Sequence, residues 1–254
     1  MVVTEQLDSA QDALASLRSG GFVLLHDATS RENEVDMVAA ADLVLPEHLK
    51  AMRTQAGGLV CLALSNKVGR RFGLVRMHEI FQSASRQYPI LRELDEEEAP
   101  YGDKPAFSIT VNHKRTFTGI TDLDRALTIA ELAKLSRKAL REGDDFDSGE
   151  FAAEFKAPGH VHLLLESEGS LRQRGGHTEL SVYLCKLAGL TPAAVICEML
   201  DGDTYKALTV EDARSFARAN RIPILEAQQV SADFHQREDG EGLQNVMAWT
   251  PTSS

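Results

Sequence analysis

No apolar run in this 254-residue chain approaches the length that spans a bilayer, and no basic-then-apolar signal pattern opens it. A membrane partner is therefore not expected, and the reading is of a soluble, cytoplasmic protein. Positive charge is scarce too. Lys and Arg number 27 against 38 Asp and Glu, a formal net charge of -11. That argues against general binding of nucleic acid or an anionic bilayer, which needs basic patches, although a few local arginines can still hold a small anion. Only three cysteines occur, Cys61, Cys185 and Cys197, an odd number without zinc-type spacing. Their apolar neighbours predict buried free thiols. No internal repeat and no Pro/Ser-rich linker divides the chain. No GxGxxG or GxxxxGK(S/T) follows any apolar run, so dinucleotide and P-loop folds are unsupported.

What is there is an ordinary globular composition, 43% hydrophobic and 26% charged. Apolar spacing predicts a helix over 8–19 closed by Gly20-Gly21, then strands at about 22–26 and 36–43. Pro46 opens a helix through about 55, and Leu59–Leu64 reads as a buried strand. Residues 66–93 show no clean period, and Asp95-Glu96-Glu97-Glu98 reads as a solvated loop. Ala106–Val111 alternates as a half-buried strand does. Thr121 or Asp122 caps a helix with Ile129, Leu132, Leu135 and Ala139 on one side. Residues 142–150 read as loop, 160–166 as strand, and Arg174–Leu187 as a glycine turn and helix. A buried strand at 193–200, a helix from Thr209 and a short edge strand at 222–225 complete the pattern. Alternating strands and helices predict a single layered α/β domain over residues 1–230. The charged stretch 231–254 reads as a flexible tail.

The acids Glu32, Glu34 and Asp36 lie between two buried runs, Phe22–Leu25 and Met37–Ala41, a place suited to a metal or a polar substrate. Arg174-Gly175-Gly176-His177-Thr178 is the second informative stretch. A glycine pair at a helix start leaves N–H groups open to an anion, and Arg174 and Thr178 add a guanidinium and a hydroxyl. The same residues also suit an ordinary basic turn with a helix cap. His160 and His162 share one strand face, which fits either metal binding or plain exposure, and His160 at the strand end suits acid–base work. Glu198 falls inside Val195–Leu200, where a carboxylate must be paired, protonated or bound. If these groups converge, they describe a divalent-metal enzyme acting on a phosphorylated polyol. Hard carboxylate oxygens with one or two imidazoles suit Mg²⁺ or Mn²⁺ better than zinc.

Several collinear motifs carry a resemblance to a known family. They are Arg31-Glu32-Asn33-Glu34-x-Asp36, Gly57-Gly58-Leu59-Val60-Cys61, Phe117-Thr118-Gly119-Ile120-Thr121 with Asp124-Arg125-Ala126, Pro158-Gly159-His160-Val161, Arg174-x-Gly176-His177-Thr178-Glu179 and Ile196-Cys197-Glu198. From about residue 8 to 230 the chain resembles 3,4-dihydroxy-2-butanone-4-phosphate synthase of the riboflavin pathway. Leu91–Arg125 looks most like the archaeal, single-function branch, with no cyclohydrolase-type domain following. The resemblance implies an α/β fold with a mixed sheet flanked by helices, and a homodimer with active sites near the subunit interface. It implies conversion of D-ribulose 5-phosphate to the four-carbon phosphate and formate with Mg²⁺ or Mn²⁺, two ions per site. Glu32 and His177 would be metal ligands. Arg31 and Asp36, with Glu32 and Glu198 alongside, would hold the sugar. Arg174, Gly175, Gly176, His177 and Thr178, assisted by Thr118, would hold the phosphate, and His160 and Glu198 would move protons. Val35 stands where bacterial members commonly carry glycine, and Ala28-Thr29 where relatives often carry acids. Two other readings share part of this pattern: another metal-dependent phosphosugar isomerase or aldolase, and a non-catalytic phosphosugar-binding protein.

Overall fold

The computed structural model describes residues 9–95 and 102–239. Its strands are β1 (Val23–His26), β2 (Val35–Ala40), β3 (Cys61–Leu64), β4 (Phe107–His113), β5 (Phe155–Leu165), β6 (Ala193–Glu198) and β7 (Ile224–Glu226). They form one mixed sheet in the order β4-β5-β3-β6-β2-β1-β7. The helices are α1 (Ala10–Arg18), α2 (Pro46–Ala51), α3 (Asn66–Arg71), α4 (Met77–Ala84), α5 (Ile90–Leu94), α6 (Asp122–Glu142), α7 (Gly149–Glu154), α8 (His177–Leu187), α9 (Val210–Asn220) and α10 (Ala227–Asp239).

The central strands β2, β3 and β6 are buried on both faces, which is why they read as continuous apolar runs. Their side chains alternate between two cores. On one face Val38, Ala40, Cys61, Ala63, Ala194 and Ile196 pack with Leu180 and Leu184 of α8, and with α1 and α10 residues. On the other, Met37, Ala39, Leu62, Leu64, Val195 and Cys197 pack with Ile129, Leu132, Leu135 and Ala139 of α6. The Thr121 hydroxyl caps α6 by accepting the Asp124 N–H, as its sequence position predicts. All three cysteines are buried and free.

Residues 66–93 resolve into the short helices α3, α4 and α5. Neither α4 nor α5 buries a residue fully, although Met77, Ile80, Phe81 and Ala84 of α4 do follow a helical spacing that the sequence reading missed. Strand β5 begins at Phe155, five residues before the predicted start, and α7 occupies part of the predicted loop. The stretch predicted as tail begins inside a helix, since α10 runs to Asp239. Val230 and Phe234 are buried, the Phe234 ring meets Tyr183 at 5.2 Å, and the Tyr183 hydroxyl donates to Asp233 at 2.8 Å. Together these contacts seat the turns on α8. Glu96–Glu98 of the acidic run and residues 240–254 lie outside the described residues.

Candidate active site

Strand register brings the acids together. β1 and β2 pair Leu25 with Asp36, and β2 and β6 pair Asp36 with Glu198. Both carboxylates point to the face covered by α8, because Val38 and Ile196, two residues away, belong to that core. Glu198 keeps its position through backbone donors. The Leu59 N–H meets its Oε2 at 2.7 Å, and the Gly58 N–H meets its carbonyl at 3.0 Å. A Cβ on Gly58 would lie 2.5 Å from both oxygens, so only glycine allows this approach. The carboxylate predicted to need a partner inside an apolar strand is thus satisfied by a neighbouring amide.

Helix α8 delivers His177 as its first residue, with Gly176 as N-cap. His177 Nε2 donates to the Leu25 carbonyl at 3.1 Å, which turns Nδ1 toward Glu32 Oε2 at 3.4 Å. Asp36 Oδ1 is 3.8 Å from Nε2 and has no hydrogen-bond partner although it is buried. Asp27 shapes the intervening loop: its two oxygens accept the N–H groups of Glu32 and Glu34 at 3.1 and 3.0 Å. Asp27, Glu32 and His177 each place one ligand atom within 4.8 Å of the others.

The charges here are far from balanced. Burial pushes the His177 imidazole down, but Asp36, Glu32 and Asp27 outweigh it and raise its pKa to about 9. Burial lifts the Asp36 carboxyl to about 7, with His177 opposing and Glu198 and Glu32 adding to the rise. Glu34 is raised by burial and then by Glu32 and Glu198. Several carboxylates share one imidazolium, so a cation fits this cluster, and its hard oxygen donors suit Mg²⁺ or Mn²⁺.

Arg174 and Arg31 are both held by carboxylates of the chain. Arg174 Nη1 bonds Glu179 Oε2 at 2.6 Å, and Glu179 in turn accepts from the backbone and hydroxyl of Ser167 at 3.0 and 3.1 Å. The guanidinium folds back over the helix start, where a Cβ on Gly176 would meet Nη1 at 2.4 Å; Gly175 faces open space, and Thr178 is buried. Arg31 bonds Asp27 at 3.3 Å and Asp103 at 2.6 Å.

His160 and Thr118 do not join this group. The His160 N–H donates to Asn112 Oδ1 at 2.8 Å, and Asn112 Nδ2 donates to the Thr118 carbonyl at 3.5 Å. The Thr118 hydroxyl turns to Asp124 at 3.5 Å. Carrying the β3–β5 and β3–β6 registers two residues onward puts His160 in the row of Leu59, Glu198 and Asp36. Two interstrand spacings separate His160 from Glu198, roughly 10 Å. His162 lies inward with its ring edge-on to Phe107, and the histidine pair forms none of the metal-capable groups among the described residues. Beside Thr118, Phe117 is 94% exposed and Leu123 71% exposed. Sequence reasoning passed over Asp27, Asp103 and Asn112. For Asp27 there was a signal, an acid directly closing a buried apolar run.

The family model described as 3,4-dihydroxy-2-butanone 4-phosphate synthase matches residues 11–232. A protein of that name from Methanothermobacter thermautotrophicus is 46% identical over 215 residues, 85% of this chain and 91% of that protein. Its namesake from Archaeoglobus fulgidus is 38% identical over 91% of this chain and 96% of that protein. Among solved structures, a 3,4-dihydroxy-2-butanone 4-phosphate synthase in complex with two magnesium ions superposes with a TM-score of 0.72 at 29% identity, covering 91% of this chain and 99% of that one.

Proposed function

The chain belongs to the 3,4-dihydroxy-2-butanone 4-phosphate synthase family, and from that premise we propose how its own residues divide the work. It is an enzyme of riboflavin biosynthesis that converts D-ribulose 5-phosphate to L-3,4-dihydroxy-2-butanone 4-phosphate and formate. The reaction enolises the sugar, removes water and rearranges the carbon skeleton, so protons must move beside a developing oxyanion.

Glu32 and His177 are the metal ligands in this reading, with Asp27 holding the loop that presents Glu32. The supporting observation is the His177 ring orientation: Nε2–H is committed to the Leu25 carbonyl, so Nδ1, which faces Glu32, is the nitrogen left for a cation. A bound Mg²⁺ or Mn²⁺ supplies positive charge where negative charge develops on the sugar. The relative holding two magnesium ions supports two ions per site. Asp36, with a pKa raised to about 7, can hold or release a proton near neutrality while bonding a sugar hydroxyl. Arg31 and Glu32 flank the same hydroxyls. Glu198, fixed by the Leu59 amide, transfers protons. Arg174, Gly175, Gly176, His177 and Thr178 form the phosphate end, where guanidinium, hydroxyl and the positive pole of an eleven-residue helix meet.

His160 and Thr118 complete the site from a second copy. Their separation from Glu32 and His177 within one chain supports this, as does the exposed apolar group Phe117, Ile120 and Leu123 beside them, a surface that a homodimer buries. The test is complementation. His160→Ala and His177→Ala are each inactive alone. Mixed and re-equilibrated in equal amounts, they recover about a quarter of wild-type activity, because half the dimers are mixed and each then carries one intact site. A mixture as inactive as its components contradicts the shared site.

A further inference from the structure

Arg31 and Arg174 share an anion of the protein's own. The Oδ2 atom of Asp103 lies 2.6 Å from Arg31 Nη2 and 3.8 Å from Arg174 Nε. That Nε is buried and makes no hydrogen bond, and the Arg174 side chain is 9% exposed. We propose that Asp103 is a built-in competitor for the substrate's anionic end: it occupies the cleft between the two guanidiniums until the phosphosugar displaces it.

The other carboxylates on these arginines are permanent partners. Asp27 is 1% exposed and holds two backbone N–H groups besides Arg31. Glu179 is fully buried and holds the Ser167 N–H and hydroxyl besides Arg174. Asp103 differs in kind. Its side chain is 23% exposed, and among the described residues its carboxylate accepts a single hydrogen bond, from Arg31. It lies on the segment entering β4 and belongs to neither the acidic loop nor the α8 start. A carboxylate so lightly held is the one that yields. A phosphate dianion carries more charge and more acceptor oxygens, so it can serve Arg174 Nε, which Asp103 leaves unsatisfied. Both anions cannot stay, because like charges in a partly buried cleft repel strongly. Every anion entering the cleft therefore bears the same displacement cost. A ligand that also bonds Arg31, Asp36 and Glu32 through sugar hydroxyls overcomes that cost more readily than free phosphate does.

This inference rests on the assignment of Arg174 to the phosphate end. The test uses full-length protein with Mg²⁺ present throughout, and compares wild type, Asp103→Asn and Arg174→Gln. Removing the competing charge lowers the KM for ribulose 5-phosphate and the inhibition constant of inorganic phosphate by a common factor, roughly threefold to tenfold. Asp103→Asn also melts at a lower temperature than wild type without phosphate and gains more from adding it, since the arginines have lost an internal partner. If both constants rise, Asp103 positions the arginines and the proposal fails. If neither constant moves, Asp103 is a bystander and it fails equally. Arg174→Gln separates the two levels: unchanged phosphate inhibition in that variant overturns the phosphate-end assignment itself, whatever Asp103 does.

Discussion

At the scale of single residues, His177 carries the most exposed part of the account. Its raised pKa, about 9, means that the metal-free protein holds a proton on this imidazole at pH 7.5. A divalent cation at Nδ1 must displace that proton. Adding Mg²⁺ to weakly buffered protein at pH 7.5 therefore releases about one proton per site, and the release fades as pH rises through 9, where the imidazole is already neutral. A pH-stat measures this directly; no release at pH 7.5 removes His177 from the ligand set. Turnover offers a second check. His177→Ala loses its activity, and Glu198→Gln falls on the order of 10²–10⁴-fold in kcat, the usual worth of a proton-transfer group. Both keep the wild-type circular dichroism spectrum, and near-normal activity in either sinks that role. The thiols beside the site take no part in such transfer: burial, with Glu198 and Asp36 adding, pushes Cys61 well above the usual thiol range and Cys197 up to about 12.

At the scale of elements, the site depends on how closely β3 and its preceding glycines approach β6. A methyl group at Gly58 would overlap Glu198 Oε2 and its carbonyl, so Gly58→Ala forces the carboxylate away from the Leu59 amide. The expected cost is about 1–3 kcal/mol of overpacking, read as a lower melting temperature, with kcat reduced more than the KM for ribulose 5-phosphate. A variant with unchanged kcat would show that this contact does not position Glu198. The same strands explain what the sequence could reveal. β2, β3 and β6 were legible because burial on both faces leaves unbroken apolar runs, and the acids stood out against them. The short, partly exposed α4 and α5 offer only one or two turns of apolar spacing each, too little to stand out from the basic residues around them. Asp103 was invisible for another reason: Arg31 lies 72 residues away in the chain, and only folding brings them together. Residue separation hid the His160–Asn112 contact as well, across 48 positions.

At the scale of the whole molecule, one sheet row carries Glu198 and Asp36 side by side, the groups proposed to move protons and hold the sugar, and α8 begins at His177 on the face they share. The collinear motifs identified the family before any geometry was known, yet motifs alone put His160 and Thr118 in the same site as His177. Within one chain the fold holds His160 and Thr118 with Asn112 and Asp124, apart from His177, and the proposed second copy is what would bring the two groups together. Among the described residues no helix is long and apolar enough to cross a membrane. The decisive assay supplies purified protein with ribulose 5-phosphate and Mg²⁺, and again with EDTA, and measures formate. The account predicts formate with Mg²⁺, in equal amount to the four-carbon phosphate, and none with EDTA. Formate that persists undiminished in EDTA, or a folded protein that binds the sugar phosphate with Mg²⁺ and releases no formate, would contradict it.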